Sequence, residues 1–283
     1  MTLPPPASDA TAVVTGSSSG IGAAIARALA ARGHHVSLVA RRADRLADLA
    51  DRIRAEGGAA DAVPADLTDP AQRAALPDRV AALGRTPSIL VNNAGTSIIG
   101  PAVEYDPARQ LAVIEVDAVA VADLCVGFVP GMVARGRGAV LTVSSTAAFQ
   151  PMPGQAAYSA AKAFALTYTQ ALAAELRGTG VTATVLCPGP VATEIGVLAG
   201  MTQEEFERSM PAPFWLSAEQ VAESGIDAAD KGKLLVVPGA PNRALGVFGR
   251  LAPRAWLLRQ LATASPAMRS RPRTASEYAT KGI

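Results

Sequence analysis

The sequence has few cysteines, no long hydrophobic run and no segment typical of a signal peptide. Cys125 and Cys187 are the only two cysteines, which is too few for a disulfide scaffold, and their spacing is not that of metal ligands. No stretch approaches the roughly 18 consecutive apolar residues of a membrane-spanning helix. Residues 1–9 lack the basic and apolar regions of a signal peptide. These absences predict a cytoplasmic chain without a metal site.

Aromatic residues, histidines and net charge are also low. Aromatic residues make up 4% of the chain, whereas apolar residues as a whole make up 49%, with many Ala and Val, as expected where helices pack closely on a sheet. The 26 basic and 24 acidic side chains are dispersed and give a net charge of +2, so no electrostatic field favours nucleic acid as a partner. His34 and His35 are the only histidines, and we interpret them as solvated turn residues at the start of a strand.

Short β-rich runs alternate along the chain with longer segments of helical periodicity. The seven predicted strands are 12–15, 35–40, 60–64, 89–92, 139–144, 182–187 and 234–237. The main predicted helices are 42–56, 70–83, 109–135, 155–177 and 217–230. Alternation of this kind predicts parallel βαβ units wound into one doubly covered α/β sheet. We expect an arm over 1–10, a single domain over 11–240 and an extension over 241–283.

Three glycines lie between the first predicted strand and the helical pattern that follows it. Gly16, Gly20 and Gly22 allow the main chain to turn sharply and to approach a ligand without interference from Cβ atoms. The helix that begins there offers free N–H groups and a partial positive charge, which suit a pyrophosphate. A tight strand-to-helix turn without a ligand is the alternative explanation of the glycines.

The stretch TGSSSGIG, from Thr15 to Gly22, resembles the TGxxxGxG element of the short-chain dehydrogenase/reductase superfamily. The other motifs of that family follow in the expected order and are Asp66-Leu67, Asn92-Asn93-Ala94-Gly95, Ser145, Tyr158-x-x-x-Lys162 and Pro188-Gly189. The match covers about residues 11–240 and is specific, because several independent motifs occur in order. The resemblance implies a Rossmann-type doubly wound parallel sheet and an NAD(P)-dependent oxidoreductase.

Tyr158 and Lys162 lie four residues apart in a helical pattern, so both side chains project from one face. A free phenol has a pKa of about 10, and a neighbouring ammonium favours its ionised form. The resemblance implies that Tyr158 is the general acid or base while hydride passes between the substrate carbon and nicotinamide C4. It also implies that Lys162 holds the nicotinamide ribose hydroxyls and that Ser145 hydrogen-bonds the reacting oxygen. Ser144 is interpreted as a structural residue.

The chain departs from the family at Asp117, where the resemblance would place an asparagine. A carboxylate there is expected either to pair with Lys162 or to be driven toward protonation. A carbonyl reductase or alcohol dehydrogenase is the predicted function. The alternative is a nucleotide-sensing or scaffold protein with the same fold and weak or no turnover.

Arg41 follows the second predicted strand, where an acidic residue would bind the ribose hydroxyls of NAD(H). The resemblance implies that Arg41 grips a 2′-phosphate, which predicts NADP(H) over NAD(H). Arg42 is interpreted instead as a solvated residue at a helix start. The residues that the resemblance implies for cofactor binding are Gly16, Ser18, Ser19, Gly20, Ile21, Gly22, Arg41, Asp66, Leu67, Asn93, Ala94, Gly95, Tyr158, Lys162, Pro188, Gly189, Val191 and Thr193.

Residues 190–216 correspond to the segment with which the family covers its substrate. This segment is rich in aromatic residues and methionine, namely Met201, Phe206, Met210, Phe214 and Trp215. Such residues predict an apolar ketone, aldehyde or alcohol as the substrate, since methionine adapts to irregular shapes. Ordinary core packing by the same side chains is the alternative.

Arginines alternate with apolar residues in the extension, and Pro253 predicts a break between two short helices. Three placements are open for this segment, namely an anionic membrane surface, the entrance of the active site and a neighbouring subunit. The Ala-rich helices over 109–135 and 155–177 carry small residues on several faces, which predicts a homodimer or homotetramer.

Overall fold

Seven parallel strands form a single sheet in the computed structural model, which describes residues 3–104, 106–198 and 202–264. The strands are β1 (Ala10–Thr15), β2 (His35–Ala40), β3 (Ala59–Pro64), β4 (Thr86–Asn92), β5 (Gly138–Val143), β6 (Val181–Leu186) and β7 (Leu235–Val236). Their order across the sheet is β3-β2-β1-β4-β5-β6-β7. The order reverses between β1 and β4, so the carboxyl ends of these strands open a crevice suited to a ligand. This sheet confirms the predicted Rossmann-type α/β fold.

Helices cover both faces of the sheet. They are α1 (Gly20–Ala31), α2 (Ala43–Ala55), α3 (Pro70–Ala81), α4 (Pro107–Ile114), α5 (Ala120–Ala134), α6 (Ala156–Glu175), α7 (Ile195–Leu198), α8 (Gln203–Arg208), α9 (Ala218–Asp230), α10 (Ala240–Leu251) and α11 (Arg254–Ala264). Within the described ranges, none of them combines the length and the apolar character needed to cross a lipid bilayer.

One predicted helix, 109–135, is divided in the structure. A π-helical turn over Glu115–Val119 separates α4 from α5. A π turn widens the helix locally while helical periodicity continues on both sides of it, so the apolar spacing in the sequence does not reveal the interruption. Asp117 is buried within this turn.

Side chains of β1 point alternately to the two faces of the sheet and enter two separate hydrophobic clusters. Ala12 and Val14 pack in the cluster formed with α1, α2 and α9. Val13 packs in the cluster formed with α3 and α5. Because both faces are covered, β1 is buried along its whole length, as expected for a central parallel strand.

The two histidines lie inside the fold, and their interpretation as solvated turn residues is wrong. His34 and His35 are 6% and 7% exposed. The His35 ring places Nδ1 at 2.9 Å from the Thr11 hydroxyl of β1 and Nε2 at 3.0 Å from the Asp61 carboxylate of β3. Burial lowers the pKa of His35, and these partners satisfy its ring at the amino-terminal edge of the sheet, opposite the crevice.

The first part of the extension forms α10 and α11 with Pro253 between them, as predicted. α10 packs on a 3₁₀ turn over Thr146–Phe149, where a Cβ at Gly246 would lie 2.9 Å from the Phe149 ring. The helix therefore supports the turn that follows Ser145. Residues 265–283, which hold the remaining arginines of the extension, lie outside the described residues.

Candidate active site

The three glycines form the turn between β1 and α1, at the carboxyl edge of the sheet. Gly16 and Gly20 have φ angles of +66° and +56°, a left-handed conformation that favours glycine. Gly22 is required for a different reason, because a Cβ there would overlap Asn93 Nδ2 and the Gly16 carbonyl oxygen. The turn therefore packs tightly against the segment that follows β4.

Thr15 joins the glycine turn to that segment. Its hydroxyl donates to the Val91 carbonyl at 3.1 Å and accepts from the backbone N–H groups of Asn93 and Ala94, both at 3.0 Å. The side-chain amide of Asn93 donates to the Thr15 carbonyl at 2.8 Å. Thr15 was not predicted as a site residue, although its place at the start of the TGxxxGxG motif was the available signal.

The amino terminus of α1 fits the phosphates of a dinucleotide. Ser19, its N-cap residue, makes no side-chain capping bond within the described residues. The Ala23 N–H bonds to the Ser19 carbonyl, so the N–H groups of Gly20, Ile21 and Gly22 precede the hydrogen-bonded part of the helix. Free N–H groups together with the positive end of the helix dipole suit an anionic pyrophosphate.

Arg42, rather than Arg41, lies against the glycine turn. Arg42 Nη2 donates to the hydroxyls of Ser18 at 2.9 Å and Ser19 at 3.0 Å, so its interpretation as a solvated residue is wrong. Arg41 is exposed and has no hydrogen bond or ion pair with any other residue that the structure describes. Adjacent residues at a strand end point in opposite directions, so the doublet alone does not tell which arginine turns toward the glycines.

Glu194 bridges two arginines at the same end of the crevice. Its Oε1 lies 2.6 Å from Arg45 Nη1, and its Oε2 lies 2.9 Å from Arg42 Nη1. The hydrogen bond from Arg45, followed by that from Arg42, lowers the pKa of Glu194 to about 2. Two guanidinium groups beside the Ser18 hydroxyl form a donor set that suits a phosphate dianion.

Ser145, Tyr158 and Lys162 come together beside the carboxyl end of β5. Ser145 begins the 3₁₀ turn after that strand, and its hydroxyl accepts from the Ala147 N–H at 3.1 Å. The Ser145 hydroxyl lies close enough to Tyr158 to lower the pKa of its phenol. Lys162 Nζ, one turn along α6, lies 5.8 Å from the centre of the Tyr158 ring. The structure thus brings the three predicted catalytic residues into one cluster.

Ser144 has a structural contact. Its hydroxyl donates to the Lys162 backbone carbonyl at 2.8 Å, in a buried position. This bond joins the end of β5 to α6. The neighbouring Ser145 hydroxyl accepts from the Ala147 N–H of the 3₁₀ turn instead, in keeping with the alternation of side chains along a strand.

Asp117 pairs directly with Lys162, which was one of the two arrangements expected for it. Asp117 is fully buried, and its Oδ1 lies 2.8 Å from Lys162 Nζ. Its Oδ2 accepts from the Thr96 N–H at 2.8 Å. Burial raises the pKa of Asp117, while the Lys162 ammonium and the Thr96 N–H act in the opposite direction.

Two of the residues that the resemblance implies for cofactor binding, Asp66 and Leu67, lie after β3. The Asp66 carboxylate accepts from the backbone N–H and the hydroxyl of Thr68 at 2.9 and 2.8 Å, which fixes its orientation. Leu67 is buried in the hydrophobic cluster below. Asp66 keeps part of its surface accessible at the carboxyl edge of the sheet.

The predicted residues after β6 form the opposite side of the crevice. The Pro188 carbonyl accepts from the Thr146 N–H at 2.9 Å, and a Cβ at Gly189 would overlap the Asn242 side chain of α10. Val191 is buried at a bridge to residue 216. Thr193 reaches the glycine turn, since a Cβ at Gly20 would lie 3.0 Å from Thr193 Cγ2.

Two aromatic residues of 190–216 contact each other. The rings of Phe206 and Trp215 meet edge to face with centres 5.0 Å apart, and Trp215 Nε1 donates to the Met210 carbonyl at 2.9 Å. These two side chains therefore contribute to packing within the segment. Met201 lies outside the described residues.

Comparison with known proteins agrees with this geometry. The model of the short chain dehydrogenase family matches residues 10–203. A short chain dehydrogenase of Pseudocercospora fijiensis is 42% identical over 188 residues, which cover 66% of this chain and 61% of that relative, less than two thirds of its length. Among solved structures, a short-chain dehydrogenase from Sphingobium yanoikuyae in complex with NADPH has a TM-score of 0.75 and 31% identity, covering 94% of this chain and 98% of that one. A short chain dehydrogenase/reductase from Burkholderia phymatum in complex with NAD has a TM-score of 0.77 and 26% identity, covering 88% and 95%. The chain belongs to the short chain dehydrogenase family of oxidoreductases.

Proposed function

We propose that this chain interconverts a carbonyl compound and its alcohol by hydride transfer with a nicotinamide cofactor. One observation carries the proposal: Tyr158 lies next to Ser145 and one helical turn from Lys162, at the same sheet edge as the glycine turn. A phenol, a hydroxyl and an ammonium in this arrangement can transfer a proton to a substrate oxygen and stabilise its developing charge.

Each residue of the cluster has a separate task. A bound nicotinamide would donate or accept the hydride. Ser145 donates a hydrogen bond to the substrate oxygen, and Tyr158 Oη gives that oxygen a proton in reduction or removes one in oxidation. Lys162 Nζ donates to the Val143 carbonyl at 3.2 Å and forms an ion pair with Asp117, and an ammonium with three N–H groups can also donate to a ribose hydroxyl.

Cofactor oxidation across a panel of apolar ketones and aldehydes tests this function. Tyr158→Phe is expected to lower kcat by about 10²- to 10⁴-fold and to leave cofactor binding intact, because only the proton donor is lost. Tyr168→Phe, on the same helix and stacked on Phe164 at 5.5 Å, is the matched control and should keep wild-type activity. If wild type and Tyr158→Phe are equally inactive while both bind cofactor, the proposed enzyme activity is wrong and the chain is a nucleotide-binding protein without turnover.

NADP(H) is the cofactor that we propose. Arg42, Arg45 and the Ser18 hydroxyl lie together at the end of β2, where the resemblance implies a 2′-phosphate. The two residues that follow β2 directly, Arg41 and Arg42, are basic, so neither supplies the carboxylate that would bind the ribose hydroxyls of NAD(H) from this position. This donor set supports Arg42, rather than Arg41, as the phosphate contact.

An apolar substrate is favoured by the surroundings of Tyr158. Its ring packs against a cluster of buried hydrophobic residues formed by Ile98, Val113 and Ala157. An apolar wall beside the proton donor suits the hydrocarbon part of a ketone or alcohol. A higher kcat/KM for a polyol than for an apolar ketone of similar size would contradict this assignment.

A homodimer or homotetramer is the assembly that we propose. Val126 of α5 and Phe164 of α6 are 70% and 43% exposed, although both are large apolar side chains. Exposed apolar side chains on neighbouring helices are typical of a subunit contact. Light scattering at micromolar concentration measures the assembly, and a monomer would reject the proposal.

A further inference from the structure

The pair formed by Asp117 and Lys162 has a fixed geometry. Both carboxylate oxygens are engaged, Oδ1 with Lys162 Nζ and Oδ2 with the Thr96 N–H, each at 2.8 Å. Lys162 Nζ also donates to the Val143 carbonyl at 3.2 Å. The two charged side chains are 0% and 5% exposed, so water does not screen or replace their contact.

Gly95 closes a further side of the pair. A Cβ at this position would lie 2.8 Å from Asp117 Oδ1 and 3.1 Å from Lys162 Nζ, closer than ordinary van der Waals contact. The main chain after β4 therefore packs directly on both ions. Neither side chain has room to shift toward this segment unless the segment also moves.

The ammonium beside Tyr158 is consequently not an isolated cation. Lys162 Nζ lies 5.8 Å from the centre of the Tyr158 ring but only 2.8 Å from the Asp117 carboxylate. In a poorly screened interior the carboxylate field opposes the ammonium field at the phenol. Asp117 thus reduces the stabilisation that Lys162 gives to a phenolate.

The groups around Tyr158 act on its pKa in opposite directions. Burial has the largest effect and raises the Tyr158 pKa, Lys162 lowers it, Asp117 raises it and the Ser145 hydroxyl lowers it. Cys187 also raises it, but burial raises the pKa of that thiol to about 12, so Cys187 is uncharged near pH 7. Burial disfavours the charge on Lys162, while Asp117, Tyr158 and Cys187 act together in the opposite direction and raise the Lys162 pKa.

We infer that Asp117 is a positioning residue that offsets the Lys162 charge through their ion pair, so that Tyr158 remains a proton donor from neutral into alkaline pH. The inference rests on the proposed function, in which Tyr158 transfers the proton. It adds that carbonyl reduction, which needs the phenol, extends to higher pH. Alcohol oxidation, which needs the phenolate, begins at correspondingly higher pH.

A phenolate titration of the full chain, followed by ultraviolet absorbance without added cofactor, tests this inference. The chain has four tyrosines, so subtracting the titration of Tyr158→Phe isolates Tyr158. Subtracting the titration of Asp117→Asn/Tyr158→Phe from that of Asp117→Asn isolates Tyr158 in the variant without the carboxylate. Its midpoint is expected to fall by about one pH unit or more, because the Lys162 charge is then unopposed. An unchanged or higher midpoint overturns the inference.

Glu115→Gln is the matched control. Glu115 belongs to the same π turn but pairs with Arg73 at 3.0 Å, so its loss should not move the midpoint. An equal shift in this variant would mean that any change to the turn alters Tyr158, against the inference. Asp117→Glu keeps the carboxylate, so its Tyr158 midpoint should lie at a higher pH than that of Asp117→Asn. If Asp117→Asn does not fold, the Tyr158 midpoint of the wild type, obtained by subtracting the Tyr158→Phe titration, tests the inference. A free phenol has a pKa of about 10, and a wild-type midpoint below this value overturns the inference.

The titration requires no turnover, so the inference and the proposed function fail in different ways. Absence of activity on every carbonyl compound would defeat the function and leave the midpoint measurement valid. Normal loss of activity in Tyr158→Phe with no shift in Asp117→Asn would leave the function and remove the role of Asp117.

Discussion

Two sets of ion pairs lie at opposite ends of the crevice and differ chiefly in burial. The Lys162–Asp117 pair joins α6 to the π turn with side chains that are 5% and 0% exposed. Glu194, in the segment after β6, pairs with Arg42 just before α2 and with Arg45 within α2. These three side chains are 39% to 44% exposed. Contact distances are similar, 2.8 Å against 2.9 and 2.6 Å, so geometry alone does not distinguish the two sites.

Burial gives the two contacts different consequences. Removing one partner of the interior pair leaves an unpaired charge that water cannot reach, which is costly. Removing one partner of the surface contact leaves charges that water and salt solvate well, so little free energy is lost. The interior pair is therefore suited to hold a permanent charge distribution beside Tyr158. The surface arginines are suited to exchange Glu194 for a ligand phosphate.

The largest expected effect comes from breaking the interior pair. Lys162→Met leaves the Asp117 carboxylate unpaired and is expected to lower the free energy of unfolding by about 3 kcal/mol or more. Arg45→Met, which removes a surface partner of Glu194, should change it by less than about 0.5 kcal/mol. Urea unfolding of both variants measures the difference. Equal losses would show that burial does not separate the two sites.

The deficit of Lys162→Met should also depend on pH. Without the ammonium, burial holds the pKa of Asp117 above its unfolded value. The folded state then takes up a proton more readily than the unfolded state, so the deficit is largest above the folded pKa and shrinks as pH falls. Lys162→Met/Asp117→Asn has no carboxylate to protonate and should lack this pH dependence.

Features that depend on periodicity were predicted well, and those that depend on a distant partner were not. The second strand was predicted as 35–40 and is found there, because a short run rich in β-forming and apolar residues marks it. The fourth strand was predicted to begin at 89 but begins at Thr86. The prediction started late because Pro87 and Ser88, which belong to the strand, interrupt the apolar pattern. His35 is buried by partners on two other strands, which no local pattern reveals.

The candidate site shows the same division. The positions of the glycine turn, Ser145, Tyr158 and Lys162 followed from motifs in order, and the structure brings them to one edge of the sheet. The orientation of Arg42 depends on how the chain leaves β2, and its partner Glu194 lies 152 residues away. Such contacts form only when the strands have assembled.

An intermediate effect is expected at the surface arginines. Arg42→Ala should weaken NADPH binding by about 10- to 100-fold, because hydrogen bonds from a charged donor to a phosphate are lost. NADH binding should be nearly unchanged, since NADH lacks the 2′-phosphate. Fluorescence titration with both cofactors measures the selectivity, and Arg32→Ala, whose partner Glu223 lies on α9, is the control. If Arg41→Ala rather than Arg42→Ala gives the selective loss, the phosphate contact returns to Arg41.

The smallest expected effect sharpens the exchange of Glu194 for phosphate. In the free chain the Glu194 carboxylate pairs with Arg42 and Arg45, so a 2′-phosphate must compete with it for the same donors. Glu194→Gln removes the competing charge and should tighten NADPH binding by about two- to fivefold, the range of an exposed ion pair, while NADH affinity stays constant. The gain should shrink at high salt, because the contact is exposed to screening ions. Glu223→Gln breaks a comparable surface pair with Arg32 and should change neither affinity. Weaker NADPH binding in Glu194→Gln would mean that Glu194 orders the arginines for the phosphate instead of competing with it, and the two contacts of the crevice would then both be permanent.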